Sequence, residues 1–555
     1  MSEQSLLRPS TVMAAGTITS RITGVLRDIS MTAALGFFLV SDAFSLGNSL
    51  PNMIYILVIG GALNAVFIPQ LVRKMKEDAD DGSAYADRLI TIASIVLLIF
   101  SILAVIFAPF IVDLYTPSDY PQKEFDLAVA FARLCLPQIF FYGIYAMLSQ
   151  VLNSRGKFGA PMFAPIANNI VAIATFLLFI AIAGTSAAAD GELTTDQVLL
   201  LGIGTTVGVA VQALILIPVL SRAGYFWRPR FDWKGHGLGK AGTLAMWTIG
   251  LVLVNQITYL VITRLATQAN VNAAALGEVA AGLTTYQKAH LVFMLPHSVI
   301  TVSIVTALLP ALSRVAHSGK LAQAGRDVSG AMRLVSFLVI PVTAILFVSG
   351  VGIAVLLFGY GAATTAQAEL LGVVISIFML GLVPFTLFYV LLRGYYALED
   401  TRTPFILTVI FSAILLLLLV PAFGTLSGGG DQIALIALCY SAAYWVALVI
   451  SWVVLARRLG GMQSGRTVFM IARMGVAGII ATLSMFAASG ITRNMLYGPN
   501  SPLDYSNKWL VLVQIVIASI VGVIVYLLAS WALRVEEIGI AQRTIAAKFG
   551  RRVKA

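Results

Sequence analysis

The chain has 555 residues, of which 59% are hydrophobic and 11% charged, with a formal net charge of +11 at pH 7. A soluble domain carries about 25% charged residues, so this chain lacks the polar surface of a water-soluble fold and reads as a membrane protein. The positive balance does not mark a nucleic-acid binder: the basic residues sit in short loops between apolar stretches, the positive-inside pattern.

Apolar stretches of about 18 residues or more, each able to cross the hydrocarbon as a helix, recur along the whole length. The short alternating strands of a β-barrel are not apparent. The expected fold class is therefore an all-α polytopic membrane protein. Fourteen spans are expected, at 10–38, 43–72, 89–116, 125–152, 160–184, 196–220, 241–268, 279–312, 328–357, 366–396, 404–424, 431–456, 467–491 and 508–533. No cleavable signal peptide is expected, because the first apolar segment is too long and lacks a small-residue cleavage site after a short core.

The first span contains SRITGVLRD, residues 20–28. An isolated arginine at mid-bilayer costs at least roughly 2.5–3.5 kcal/mol on insertion scales, and it persists where it faces a wet cavity or a partner. At about 100° per residue, Thr17, Ser20, Arg21, Gly24, Arg27 and Asp28 share one sector of roughly 120°. Arg21 and Asp28 are nearly in line, so Asp28 can partly neutralise Arg21 or Arg27 and leave one net positive charge. The sector reads either as a structural ion pair between helices or as an anion-binding wall. The second reading is preferred, because guanidinium forks bidentately onto phosphate and does not lose its proton.

Further along, Asp42 stands at the outer mouth of the second span and reads equally as a cavity acid or an N-cap. Cys135 and Cys439 lie far apart within apolar segments, which argues against a disulfide or a metal site. Arg133 reads as deep in span four or at a helix end. YFWRPRFDWKGHG (225–237) reads as an interfacial loop with its aromatics at headgroup level. GLGKAGT (237–243) lacks phosphate-loop spacing and reads as a flexible lead into span seven. Arg264, near the outer end of span seven, either faces a cavity or snorkels to the interface. Lys288 and His290 are two apart and face different directions, so at most one faces a cavity. A lone histidine there is more often a packing residue than a proton relay. Arg393 reads as interfacial. With four histidines, no metal-ligand spacing, no Walker loop and no nucleophile elbow, neither an enzyme constellation nor a cofactor is expected. The tail from Arg534 to Ala555 reads as a basic amphipathic helix on anionic lipid.

With the N-terminus in the cytoplasm, the outer loops hold only Lys123, Arg493 and Lys508. That asymmetry supports an even span count with both termini inside. The halves also resemble each other. LPNMIYILVIGGALNAVFIPQLVR (50–73) echoes LPHSVITVSIVTALLPALSR (295–314), and YAMLSQVLNSRGKFGAP (145–161) echoes YVLLRGYYALEDTRTP (389–404). Pro51/Pro296, Pro69/Pro310 and Pro161/Pro404 are offset by 245, 241 and 243 residues. Six spans per repeat is even, so the repeats share one orientation, and two pseudo-symmetric lobes around a central cavity are expected. The expected organisation is an N-lobe at 1–221, a cytoplasmic interlobe loop at 222–240, a C-lobe at 241–458, two extra C-terminal helices at 459–534 and a basic tail at 535–555.

SRITGVLRD, SDAFSLGNSLPN (41–52), FIPQLVR (67–73), LNSRGKFGAPMFAPIANN (152–169), TALLPALSR (306–314) and ALEDTRTP (397–404) follow the motif order of MurJ/MviN-type lipid II flippases of the MOP exporter superfamily. The resemblance covers nearly the whole chain. It implies translocation of the undecaprenyl-diphosphate-linked peptidoglycan precursor from inner to outer leaflet of the bacterial cytoplasmic membrane, by alternating access and without ATP hydrolysis. It carries a Ser-Arg pair onto Ser20 and Arg21, an Arg-Asp pair onto Arg27 and Asp28, and the acid of an Asp-Ala-Phe motif onto Asp42. Asn52, Arg264 and Lys288 complete the expected substrate-binding set. Anionic lipid and cell-wall synthesis or division proteins are the other expected partners.

The sequence departs from the family pattern after Pro51-Asn52. Tyr55 and Ile56 stand at basic positions and Gly60 at an acidic one. In span eight, His290 and Leu291 replace an Asp-Arg pair, and Arg264 or Lys288 is a candidate substitute for the lost charge. These departures keep other readings open: a flippase for another polyisoprenyl-linked glycan, a drug or organic-cation exporter of the same superfamily, or a non-transporting cell-wall scaffold. A cation exporter would want acids in its cavity, whereas the deep acids here, Asp28 and Asp42, stand near arginines. Coupling to an ion is open, as is coupling to the membrane potential, at about 2.3 kcal/mol per charge per 100 mV.

Overall fold

The computed structural model describes residues 3–57, 82–232, 242–498, 505 and 507–539, and all regular structure among them is helical. The motif at 67–73, Gly60, the lead at 237–243 and the tail beyond 539 lie outside the described residues. Packing divides the chain into two compact units, Met1–Thr284 with Tyr360–Thr364, and Thr285–Gly359 with Thr365–Ala555.

The first unit begins with α1 (Glu3–Leu35) and α2 (Leu39–Tyr55). A tight turn at Gly36, with φ +61°, separates them. α3 (Ser83–Ile106) is a span followed after Phe107 by the short α4 (Ala108–Tyr115), and α5 (Gln122–Cys135) and α6 (Gln138–Ser154) form one span interrupted at Leu136-Pro137. α7 (Gly159–Ala183) carries Pro161 in its first turn, where the missing N–H is tolerated. α8 (Thr195–Leu214) starts at a capping box, in which the Thr194 hydroxyl accepts from Gln197 N and the Gln197 side chain accepts from Thr194 N. α9 (Leu216–Arg222) extends it, and α10 (Gly242–Leu276) follows. Small residues let these helices approach closely. A Cβ at Gly47 would lie 2.7 Å from Phe131 Cβ, and one at Gly202 would lie 2.7 Å from Leu134 Cβ.

α11 (Leu283–Pro296) opens in the first unit and continues in the second. A π-helical turn (His297–Thr301) joins it to α12 (Val302–His317). α13 (Leu321–Phe358) has 38 residues, roughly 57 Å at 1.5 Å per residue, so it projects well beyond the hydrocarbon. α14 (Thr365–Met379) and α15 (Leu382–Ala397) meet at a 48° bend. α16 (Arg402–Phe423), α17 (Gly429–Arg458), α18 (Ser464–Tyr497) and α19 (Lys508–Ala532) complete the unit.

Eleven helical segments among the described residues are long and apolar enough to cross a membrane, or twelve if the bent pair is one span. Fourteen is therefore not confirmed. The first expected span is α1, which carries three charges among its membrane-length residues, Arg21, Arg27 and Asp28. The second runs from α2 into residues outside those described. The unit boundary also differs from the expected lobe boundary at 222–240, since α10 packs with the first unit. Side-chain bonds explain the grouping: Gln256 Nε2 donates to Met53 O at 2.8 Å, and Asn270 Nδ2 donates to Phe37 O at 3.2 Å.

The two halves break their helices at matching places. Pro51 is followed by a π turn at 56–57, and Pro296 by the π turn at 297–301. The interruption at Pro137 and the bend at Gly381 are 244 residues apart. Each break frees backbone carbonyls, which an apolar surrounding does not tolerate. Thr206 Oγ1 donates to Leu134 O at 2.8 Å and Ser101 Oγ to Leu136 O at 3.3 Å. In the second unit Trp445 Nε1 donates to Leu380 O at 3.0 Å and Ser441 Oγ to Ile377 O at 3.4 Å.

On the polar loop side, Asp87 is buried and accepts from Tyr225 Oη at 2.7 Å and from Arg228 N at 3.2 Å. Trp227 Nε1 donates to Thr91 Oγ1 at 3.3 Å. The loop at 225–232 is thus pinned to α3, and Phe226 and Phe231 stay exposed. Arg133 is exposed in the last turn of α5. Cys135 and Cys439 are buried and free, one in each unit.

Helix contact in the second unit is closest at Gly372, where a Cβ would lie 2.2 Å from Val351 Cα. Gly372→Ala forces backbone apart and is expected to destabilise the protein by roughly 1–3 kcal/mol, read as a lower unfolding temperature in detergent. Gly475→Ala, where a Cβ meets nothing within 4 Å, is expected to leave that temperature unchanged.

Candidate functional site

The polar sector of α1 is held from two sides. Arg27 Nη2 pairs with Asp28 Oδ2 at 3.1 Å, and Arg27 Nη1 reaches Asn169 Oδ1 on α7 at 3.4 Å. Asn169 Nδ2 donates back to α1, to Thr23 Oγ1 at 2.9 Å and Ser20 O at 3.2 Å. One buried amide therefore anchors the stretch from Ser20 to Arg27 and aims the guanidinium. α7 comes close at Gly16, where a Cβ would lie 3.0 Å from Met162 Cβ; at Gly24 a Cβ would make only ordinary contact, 3.7 Å from Asn169 Nδ2.

Asp28 is largely buried, whereas the Arg27 side chain stays 38% exposed. The pair is thus half-open, with the acid inside and the cation at the surface of the unit. Arg21 is exposed and makes no ion pair among the described residues. The sector carries one net positive charge. Tyr142 on α6 interacts electrostatically with Arg27, and its ring lies 5.9 Å from that of Tyr55. Tyr55, at one of the two positions where the family pattern has a basic pair, thus packs beside Tyr142, and Ile56 fills the other.

Asp42 is placed differently from a cavity acid. It is 1% exposed, and its carboxylate accepts from Thr284 N at 2.7 Å, Asn270 Nδ2 at 2.8 Å and Leu283 N at 3.0 Å. It caps the N-terminus of α11 from another helix, satisfying backbone donors that have no intrahelical partner. Ser41 and Ser45 add hydroxyl contacts to Thr284 Oγ1 at 3.1 and 2.9 Å. Asp42 does not cap its own helix, which starts at Leu39 with Phe38 at its N-cap; its carboxylate serves the start of α11 instead. The nearby Asn270 also accepts from Ala281 N at 3.2 Å, so the turn into α11 is built around these two side chains.

Asn52 is exposed on α2, just before its π turn. Arg264 is half-buried on α10 and reaches Leu114 O, at the end of α4, at 3.5 Å, the reach of a helix C-terminal cation. Lys288 is 3% exposed, in the second unit.

His290 stacks on Tyr286 at 5.8 Å and Phe293 at 5.7 Å, and its Nε2 lies 3.4 Å from Tyr440 Oη. Phe378 also packs edge-on to it at 6.0 Å. His290 therefore sits in an aromatic cluster, the packing role expected of a lone histidine. His297 lies 4.5 Å from Phe385 and 4.6 Å from Tyr389, and Arg393 stacks over Tyr389 at 4.2 Å. Asn169, Asn270 and the aromatic partners of His290 were not singled out from sequence. Amides inside apolar spans, as in IANNIV and TQANVN, are the signal that marks the first two.

A family model described as lipid II flippase MurJ matches residues 31–506. Among curated relatives, the probable lipid II flippase MurJ of Rhizobium tropici is 30% identical over 457 residues, covering 82% of this chain and 81% of the relative. That of Rhizobium meliloti (strain 1021) is 29% identical over 491 residues, covering 87% of each. Among solved structures, one titled lipid II flippase MurJ, inward closed conformation, aligns with TM-score 0.70 at 20% identity, over 94% of this chain and 98% of that one. An inward-facing multidrug resistance MATE family transporter of the MOP superfamily aligns with TM-score 0.56 at 14% identity, over 80% and 96%. The last two likenesses concern the fold.

Asp42→Ala leaves the Leu283 and Thr284 amides without their acceptor, and roughly 1–3 kcal/mol per buried donor is the expected cost. Hydrogen–deuterium exchange should quicken at 283–284 and the unfolding temperature should fall. Unchanged exchange there would remove the capping role.

Proposed function

The chain belongs to the lipid II flippase MurJ family, and we propose that it moves lipid II, the undecaprenyl-diphosphate-linked peptidoglycan precursor, from the inner to the outer leaflet of the bacterial cytoplasmic membrane. The observation that carries the reading is the α1 wall: Arg27, aimed by Asp28 and Asn169 and left partly exposed, beside an exposed Arg21. A diphosphate is matched by this pair, since each guanidinium offers a planar fork of donors and stays charged at every physiological pH.

In this reading Ser20, Arg21, Arg27 and Asn52 face the substrate. Asp28 acts through Arg27 as a positioning residue, because it is too buried to meet a large headgroup. Its partial neutralisation of Arg27 also suits transport, which needs a diphosphate gripped and then released. Lys288 is buried and Arg264 sits at the end of a neighbouring helix, so neither is assigned to the first contact with diphosphate. The protein works as a transporter by alternating access, with no catalysed covalent step and no cofactor. The matched helix breaks in the two halves support bending of the spans without exposing unsatisfied backbone. Both termini lie in the cytoplasm, as the loop charges favour. A cation exporter is disfavoured, because the buried acid Asp42 is consumed in helix capping and Asp28 is paired to an arginine.

Depletion of the protein in its own host, with lipid II measured in the outer leaflet and in total, tests this. Total lipid II should rise while the outer pool collapses. Arg27→Ala should fail to restore the pool, with a deficit of about tenfold or more for a lost bidentate phosphate contact, and Arg27→Lys should restore it in part. An unchanged outer pool on depletion would move the substrate to another lipid-linked glycan.

A further inference from the structure

A cavity with polar groups in its wall lies within the second unit, away from the α1 wall in sequence and independent of the transport reading. It occupies about 380 Å³ between α13, α18 and α19. α18 lines it with Ser489, Gly490 and Arg493, one turn apart on one face, and α19 with Gln514. Among the described lining residues Arg493 is the one cation and none is a carboxylate. The Nε of Arg493 is buried and has no hydrogen-bond partner among the described residues. Lys508, the other basic residue at this end of the helices, is engaged elsewhere: its Nζ donates to Gly359 O at 2.9 Å and Val355 O at 3.1 Å.

Two further features shape the space. Gln514 Nε2 donates to Ser489 Oγ at 2.6 Å, which leaves the serine proton free to be donated in turn. A Cβ added at Gly490 would meet nothing within 4 Å, so this glycine opens onto the cavity. At Gly352, by contrast, a Cβ would lie 2.9 Å from Ile515 Cδ1, which closes the opposite wall. A buried charged donor without an acceptor is costly, and such groups in native proteins find a partner.

We propose that this cavity binds a phosphate group, with the Arg493 guanidinium forking onto its oxygens and the Ser489 hydroxyl donating beside it. The phosphate arrives either on the head of an anionic glycerophospholipid or free in solution. Apart from Ser349 and Tyr505 the remaining lining is apolar, and Phe486 is 50% exposed, which gives an acyl chain a path along the helices. The ends of α18 and α19 joined here lie on the outer side when both termini are cytoplasmic. The site would then hold an outer-leaflet lipid on the two helices that stand outside the internal repeat.

The test uses the purified full-length protein and native mass spectrometry. Retention of phosphatidylglycerol is compared with that of a phosphate-free galactosyldiacylglycerol carrying the same chains. Wild type should retain phosphatidylglycerol in preference. Arg493→Gln should retain about tenfold less, the loss of one bidentate contact, and Arg493→Lys an intermediate amount. Gly490→Leu, which fills open space and leaves the charge intact, should lose retention as well, and it decides the matter if Arg493→Gln does not fold. Millimolar inorganic phosphate separates the sources. Retained lipid that phosphate does not displace assigns the lipid head. Displacement, with phosphate alone raising the unfolding temperature of wild type but not of Gly490→Leu, assigns the free ion. Equal retention of both lipids by wild type with no effect of phosphate overturns the proposal, and so does wild-type retention by folded Gly490→Leu.

Discussion

Hydrocarbon offers no hydrogen bonds, so every backbone group and charge that enters it must be met from within the protein. The irregular parts of this chain follow from that constraint. Where α11 begins, its first amides donate to Asp42 on α2. Where α14 breaks from α15, side chains of α17 take the freed carbonyls. Where α5 breaks from α6, Thr206 and Ser101 do the same. A long span can then be bent without a backbone group left exposed to lipid, and bent spans are the material of a transporter.

The same rule governs the charges. Arg27 sits in a span because an adjacent carboxylate and an amide from α7 share its donors. Arg21 has no such partners among the described residues and is exposed. The two arginines therefore differ in kind: one is fixed in direction, the other is free to adapt. Tyr55 and Ile56 stand where the family pattern has further cations, so the wall is less positive than that pattern implies. Arg264 reaches Leu114 O at a helix end, and Lys288 is buried in the second unit.

The halves show how a duplicated plan diverges. Proline positions and helix breaks recur at near-constant offset, because they shape the backbone. The side chains around them do not recur. In the first half the surroundings are amides and hydroxyls, such as Asn169, Ser101 and Thr206. In the second half they are rings packed about His290 and His297. Geometry is preserved while chemistry is redistributed, with the charged wall in one half and an aromatic interior in the other.

Composition and hydropathy alone determined that the chain is helical and membrane-embedded, because a bilayer admits few alternatives for so apolar a sequence. The repeat was legible from its prolines, since proline acts on the local backbone wherever it stands. The α1 sector was legible as well, because helical periodicity places residues on a face without reference to any neighbour. Tertiary structure decided what each face meets. Asp42 satisfied both of its sequence readings, and only the position of Thr284, 242 residues away, made it a cap. The grouping of α10 with the first unit, the anchoring by Asn169 and the separate placements of Arg264 and Lys288 were likewise unreadable. Each depends on contacts between residues far apart in the chain, and periodicity carries no information about distant partners.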